Sequence, residues 1–100
     1  MYVSRLSFST IPGKGHLATE QLKQLVELIA NGSGSRPRVL RTHFASLGEA
    51  DIQLEQEFKS LAELETQLER VTANGEFRKW SEGFSELLLR SPQREIFEVV

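Results

Sequence analysis

Hydrophobic and polar side chains alternate along four stretches of the chain, and alternation of this kind is typical of β-strands with one buried face. The two middle stretches flank the loop "ASLGEA", which contains Gly48 and predicts a β-hairpin. The four stretches are "YVSRLSFST", "RVLRTHF", "DIQLEQEF" and the C-terminal "REIFEVV".

Three further segments carry apolar residues at helical spacing. Asn31 and Gly32 predict the end of the first helix, and Ser60 with Glu63 has the spacing of a capping box at the start of the second. Pro92 follows the third helix. The segments are "HLATEQLKQLVELIANG", "SLAELETQLERV" and "EFRKWSEGFSELLL".

The order strand, helix, strand, strand, helix, helix, strand predicts an α+β fold of the ferredoxin-like βαββααβ type. In that topology the four-stranded sheet is antiparallel, its strand order is 4-1-3-2, and the helices pack on one face. A chain of 100 residues fits one such domain, spanning residues 1–100.

The alternation also predicts which side chains share each face of the sheet. The set predicted to lie under the helices is Leu6, Phe8, Leu40, Phe44, Ile52, Leu54, Phe58, Phe97 and Val99. The set predicted to lie on the uncovered face is Val3, Arg5, Ser7, Val39, Arg41, His43, Gln53, Glu55, Glu57, Ile96 and Glu98.

Charged side chains concentrate on the predicted uncovered face. Strand three lies between strands one and two, so its carboxylates, Glu55 and Glu57, are expected between Arg5 on one side and Arg41 with His43 on the other. Neighbours across strands stand about 5 Å apart, close enough to pair. Two interpretations stay open: a solvated, salt-bridged face without chemistry, or the lining of a cleft in which arginines bind an anion and His43 or a glutamate moves a proton.

Composition excludes several classes of function. The formal net charge of −2 gives no general attraction for nucleic acid or for anionic membranes, and the third strand presents glutamates where an RNA-binding sheet needs aromatic and basic residues. The sequence has no cysteine, which excludes disulfides and thiolate metal sites and fits a reducing compartment. His43 with one glutamate is an incomplete ligand set, so no metal is predicted. With no apolar run of membrane-spanning length, we expect a cytoplasmic protein.

The sequence resembles the dimeric α/β barrel superfamily, which includes stress-responsive A/B barrel, NIPSNAP-like and antibiotic-biosynthesis-monooxygenase-like proteins. The resemblance covers nearly the whole chain. It rests on the "PGKG" break after strand one, on "EQEFKSLAELETQLERV", where a strand runs into a capped helix, and on "GEFRKWSEGFSELL" before the final "EIFEVV".

This resemblance implies a homodimer in which the uncovered sheet faces of two subunits form a barrel, with ligand space inside the barrel or between sheet and helices. Some relatives are cofactor-independent monooxygenases, some degrade haem, and others are isomerases or decarboxylases. Haem degraders use an asparagine, a tryptophan and a downstream histidine. Trp80 is the one counterpart in this sequence, and no histidine follows it, so haem chemistry is disfavoured and no cofactor is predicted.

Two hypotheses follow. In the first, the protein is a cofactor-independent enzyme for a small hydrophobic or aromatic substrate. His43, Glu55 and Glu57 are then the candidate catalytic residues, while Arg5, Arg41 and Trp80 are the candidate substrate-binding residues. In the second, the protein is a non-catalytic dimeric interaction module whose charged face fixes the register between subunits.

Overall fold

Seven elements follow one another in the predicted order in a computed structural model, which describes residues 1–30, 35–45 and 47–100. They are β1 (Tyr2–Phe8), α1 (Gly15–Ala30), β2 (Arg38–Arg41), β3 (Ile52–Phe58), α2 (Leu61–Thr72), α3 (Gly75–Ser85) and β4 (Gln93–Glu98). No described helix is both long enough and apolar enough to cross a bilayer.

The strands form one antiparallel sheet in the order β2-β3-β1-β4. This order is 4-1-3-2 counted from the other edge, and the helices pack on one face, α1 against β2 and β3 and α2 against β3. The ferredoxin-like fold predicted from the sequence is therefore confirmed.

Local sequence signals begin the helices and turn the chain. The Ser60 side chain accepts a hydrogen bond from the backbone N–H of Glu63 at 3.2 Å and so caps α2. Asn74 caps α3 in the same way, 2.8 Å from the backbone N–H of Glu76. Gly48 adopts a φ of 88° in the β2–β3 loop, a conformation that favours glycine. The predicted helix stop at residues 31–32 lies outside the described residues.

The hydrophobic core lies between the sheet and the helices. Phe8, Leu22 and Ile52 are its largest fully buried side chains. Phe8 meets Phe84 of α3 edge to face, with ring centroids 5.2 Å apart. The predicted facing of β1 and β3 is confirmed, because Phe8 stands opposite Ile52, with both side chains in this core.

The predicted facing of β2 is wrong. Val39 pairs with the buried Leu54 and packs against the core, whereas Leu40 pairs with Gln53 on the other face. The strand ends at Arg41, so Phe44 lies beyond it and is 90% exposed. Without Phe44, one apolar residue remains on each face of the strand, and alternation alone no longer favours either facing.

The predicted facing of β4 is also wrong. Phe97 stands opposite Val3 on the face away from the helices, and Ile96 stands opposite Ser4 on the helix side. Val99, predicted for the core, lies past the strand and is exposed. β4 is an edge strand with apolar residues of both parities, so its facing is decided by its pairing with β1.

The two faces of the sheet can now be defined by their residues. By strand register, the helix-covered face carries Tyr2, Ser4, Leu6, Phe8, Val39, Arg41, Ile52, Leu54, Gln56, Phe58, Arg94, Ile96 and Glu98. The open face carries Val3, Arg5, Ser7, Arg38, Leu40, Gln53, Glu55, Glu57, Gln93, Glu95 and Phe97.

Candidate functional site

Glu55 is the centre of the charge cluster on the open face. It accepts hydrogen bonds through Oε2 from Nε and Nη2 of Arg5, at 3.1 and 3.0 Å. Its second oxygen, Oε1, accepts from Nη2 of Arg38. Glu55 is buried, so two guanidiniums from the neighbouring strands compensate one desolvated carboxylate.

The electrostatics of this cluster favour the ionised carboxylate. The hydrogen bond from Arg38 lowers the pKa of Glu55 most, and Arg5 lowers it further against the opposing effect of burial. The Glu55 contact also raises the pKa of Arg38. Arg5 in addition lies over the ring of Phe97, 5.1 Å from its centroid. Arg5 is therefore already engaged by two partners of its own chain.

The structure separates His43 and Arg41 from this cluster. The place beside Glu55 that the sequence suggested for Arg41 is taken by Arg38, because the facing of β2 is reversed. Arg41 and His43 are exposed, at the end of β2 and past it, and the His43 ring packs on Phe44 with centroids 4.6 Å apart. Glu57 is exposed on the open face. Of the predicted polar site residues, the structure joins only Arg5 and Glu55.

No group of three or more histidine, aspartate or glutamate side chains suited to a metal ion occurs within residues 1–30, 35–45 and 47–100. A depression of about 410 Å³ lies on the open face, and we call it the polar cavity. Its walls include Arg5, Ser7, Gln53 and Glu95.

A second space, the apolar cavity, lies between the helix-covered face and helices α2 and α3. Its volume is about 260 Å³. The side chains that line it are mainly aliphatic and aromatic, and they include Leu6, Phe8, Leu54, Leu68, Phe77, Trp80 and Phe84. Small-molecule sites in proteins have this character, an apolar wall with few polar groups.

Three aromatic rings of α3 form one wall of the apolar cavity. Trp80 stacks on Phe84 with centroids 4.6 Å apart and on Phe77 at 5.9 Å. The indole N–H of Trp80 donates to the backbone carbonyl of Gln21 at 2.7 Å, which fixes the ring against α1. Trp80 and Arg5, both predicted to bind substrate, therefore line two different cavities on opposite sides of the sheet.

Polar side chains are a minority of the apolar cavity lining, and most of them form hydrogen bonds within the protein. Gln56 and Gln67 exchange side-chain hydrogen bonds at 2.8 and 2.7 Å. Arg94, the one charged residue in the described lining, donates from Nη1 to the hydroxyl oxygen of Ser4 at 2.5 Å. Burial lowers the pKa of Arg94.

Sequence reasoning missed Arg94. Assigning Phe97 to the core placed every second residue of β4, Arg94 included, on the wrong face. The pairing of Arg94 with Leu6 corrects this, because Leu6 packs against the core. The sequence did contain one signal. Arg94 lies two residues from Ile96 and so shares its face of the strand, and Ile96 is as apolar a candidate for the helix side as Phe97.

Comparison with known proteins supports the fold and carries no closer assignment. No family model and no curated protein sequence matches the chain. Among solved structures, a NIPSNAP domain protein from Burkholderia xenovorans is 12% identical with a TM-score of 0.83, over 100% of this chain and 95% of that one. A putative antibiotic biosynthesis monooxygenase from Nitrosomonas europaea is 15% identical with a TM-score of 0.78, over 100% and 99%.

A NIPSNAP family protein from Agrobacterium tumefaciens is 12% identical with a TM-score of 0.77, over 99% of this chain and 85% of that one. Identities this low establish shared architecture only. The fold implied by the predicted resemblance is thus confirmed: this chain has the fold of these antibiotic-biosynthesis-monooxygenase-like and NIPSNAP proteins.

Proposed function

We propose that this protein binds a small hydrophobic or aromatic molecule in the apolar cavity. The observation that carries the proposal is the cavity itself, with the stacked rings of Phe77, Trp80 and Phe84 along one wall. Its volume of about 260 Å³ lies just below the range of roughly 300–1,000 Å³ common for ligand pockets. A ligand with one aromatic ring and a short side chain suits that space.

We propose further that two copies associate through the open face to form a homodimer. The resemblance to dimeric α/β barrels supports this, and so does the character of the face. It carries guanidiniums and carboxylates together with the exposed Phe97, so a twofold-related copy can offer opposite charges and apolar surface in return. Glu55 and Arg5, paired within one subunit, then contribute to the register between subunits.

In the catalytic form of this proposal, the protein converts the bound molecule without a cofactor. The reaction is then of monooxygenase, isomerase or decarboxylase type. The antibiotic biosynthesis monooxygenases among the fold neighbours support it. The second candidate is a binding protein without turnover. One observation favours that candidate: the described lining of the apolar cavity contains no carboxylate or imidazole to act as general acid or base.

Ligand binding is tested through the fluorescence of Trp80, the single tryptophan of the chain. Titration with small aromatic compounds should change its emission with saturation. Ser81→Leu, which fills the cavity from α3, should weaken binding at least about tenfold, whereas the matched change Ser7→Leu in the polar cavity should not. Binding that survives Ser81→Leu, or no saturable binding by any compound, would refute the proposal.

Dimerisation is tested by sedimentation equilibrium with two adjacent residues of β4. Phe97 and Ile96 are similarly exposed, at 40% and 46%, but lie on opposite faces of the sheet. We expect Phe97→Asp to dissociate the dimer, since it places a carboxylate in the apolar part of the contact, and Ile96→Asp to leave it intact. A wild-type monomer at all concentrations would exclude the open-face dimer, as would equal association of both variants.

Oxygen uptake tests the monooxygenase type of the catalytic form. A monooxygenase-type reaction on an added hydroquinone consumes dioxygen, and the rate should fall in Ser81→Leu but not in Ser7→Leu. If compounds that bind cause no oxygen uptake above the rate without protein, the monooxygenase type is contradicted.

A further inference from the structure

Arg94 is distinguished among the described arginines by its place, because it is the one that lines the apolar cavity. Arg5 and Arg38 bind Glu55, and Arg36 binds Glu27. Arg94 has no carboxylate partner among the described residues, and its side-chain hydrogen bond goes to the neutral hydroxyl of Ser4. Four other arginines likewise have no ion pair among the described residues, but none of them lines this cavity. The polar end of the apolar cavity therefore contains a cation that pairs with no carboxylate in the described part of the chain.

The position of Arg94 in the sheet explains how a charge reaches an apolar space. β4 pairs with β1 so that Arg94 stands opposite Leu6, on the helix-covered face. The residue as a whole is exposed at the sheet edge, but its side chain contributes to the cavity lining together with Ser4 and Leu6. The register of the edge strand thus places the Arg94 side chain on the side of the sheet that the helices cover.

Partial burial of an uncompensated cation is unfavourable, and a bound anion relieves that cost. Burial also lowers the pKa of Arg94, as expected for a guanidinium withdrawn from water without a partner. A guanidinium presents several N–H donors in one plane and matches the two oxygens of a carboxylate. The Ser4 hydroxyl, held by Arg94, can add an O–H donor at the same place.

Resting on the ligand binding proposed above, we infer that Arg94 and Ser4 form an anion-binding site in the apolar cavity, and that the ligand is a hydrophobic monocarboxylate. Its carboxylate contacts Arg94 and Ser4 at the β1–β4 end. Its apolar body lies along the ring wall formed by Phe77, Trp80 and Phe84. This assigns anion recognition to a residue outside the charge cluster of the open face.

The test compares 3-phenylpropanoate with its neutral analogue 3-phenylpropanamide, by calorimetry and by Trp80 fluorescence. Wild-type protein should bind the acid about tenfold more tightly than the amide. Arg94→Gln should abolish that preference and retain the affinity for the amide, and Arg94→Lys should keep part of the preference, because it conserves the charge but loses the planar donors. Circular dichroism confirms that each variant is folded.

Arg90→Gln is the matched control. Arg90 donates to the carbonyl of Gly48 at 2.9 Å and borders the polar cavity instead of the apolar one. Its loss should leave both affinities unchanged. Equal binding of acid and amide to wild type would overturn the anion site while ligand binding stands, as would an acid preference that persists in Arg94→Gln. If neither compound binds while other small aromatic compounds do, the anion site fails and the proposed function stands. If no aromatic compound binds, both fail.

Discussion

The two faces of the sheet use arginine in opposite ways. On the open face, Arg5 and Arg38 converge on the buried carboxylate of Glu55, so both guanidiniums have an ion-pair partner within the chain. On the helix-covered face, Arg94 lines a mainly apolar cavity, and among the described residues its side-chain hydrogen bond goes to the neutral hydroxyl of Ser4. Arg5 and Arg38 are therefore engaged in ion pairs within the chain, whereas the charge that we propose binds a ligand is a single guanidinium beside a mainly apolar space.

The largest expected effect is a loss of folding stability when an aromatic side chain of the core is truncated, and it tests where the core lies. Phe84 is 3% exposed and packs on Phe8 and Trp80, whereas Phe44 is 90% exposed beyond β2. Phe84→Ala should lower the free energy of unfolding by about 3 kcal/mol, because it removes buried apolar area and leaves a cavity. Phe44→Ala should change it by less than about 0.5 kcal/mol. Urea unfolding measures both, and equal losses would contradict the assigned faces.

The reversed facing of β2 gives the next largest effect. Val39→Asp should destabilise the fold by about 2 kcal/mol, because it places a carboxylate against the core beside Leu54. Leu40→Asp faces away from the helices and should weaken association instead. Unfolding measured at protein concentrations low enough for monomer to dominate distinguishes them. A greater loss of stability in Leu40→Asp than in Val39→Asp would restore the facing expected from the sequence.

The ion-pair cluster of Arg5, Glu55 and Arg38 on the open face predicts a pH dependence. The pKa of Glu55 is lower in the folded protein than its usual value near 4.3, so its ionisation stabilises the fold above that value. This contribution is lost as the pH falls through the lowered, folded-state pKa. We expect wild type to exceed Glu55→Gln in unfolding free energy by roughly 1 kcal/mol at pH 7, with the difference shrinking steadily below about pH 4.3.

The control for that measurement is Glu57→Gln on the same strand and face. The Glu57 side chain takes part in no ion pair among the described residues. Its change should alter stability at pH 7 by less than about 0.5 kcal/mol. If Glu55→Gln is as stable as wild type at pH 7, the ion pairs of Glu55 with Arg5 and Arg38 contribute nothing to the free energy of unfolding.

The smallest expected effect concerns His43, the acid/base candidate suggested by the sequence. His43 lies past the end of β2 and is not part of the apolar cavity wall. His43→Ala should therefore leave the affinity for 3-phenylpropanoate unchanged within about twofold, measured as for Arg94→Gln. A loss of affinity as large as that of Arg94→Gln would show that His43 takes part in ligand binding.

Much of the fold could be predicted from local signals. The alternation in β1 and β3 is unambiguous, since their apolar residues fall almost entirely on one parity, and both facings are confirmed. The capping box at Ser60 and Glu63 marks the start of α2 correctly. The pairing of Arg5 with Glu55 also follows from strand order and parity, because those two strands were assigned correctly.

The remainder was decided by tertiary pairing. β2 and β4 carry apolar residues of both parities, so neighbouring Val39 and Leu40, or Ile96 and Phe97, are locally equivalent. Only the hydrogen-bonded register with β3 and β1 determines which of each pair faces the helices. By itself the sequence thus determined the order and type of the elements. The sheet register decided that Arg38 pairs with Glu55 and that Arg94 lines the apolar cavity. The reason is that a shift of one residue in register moves every side chain of a strand to the opposite face.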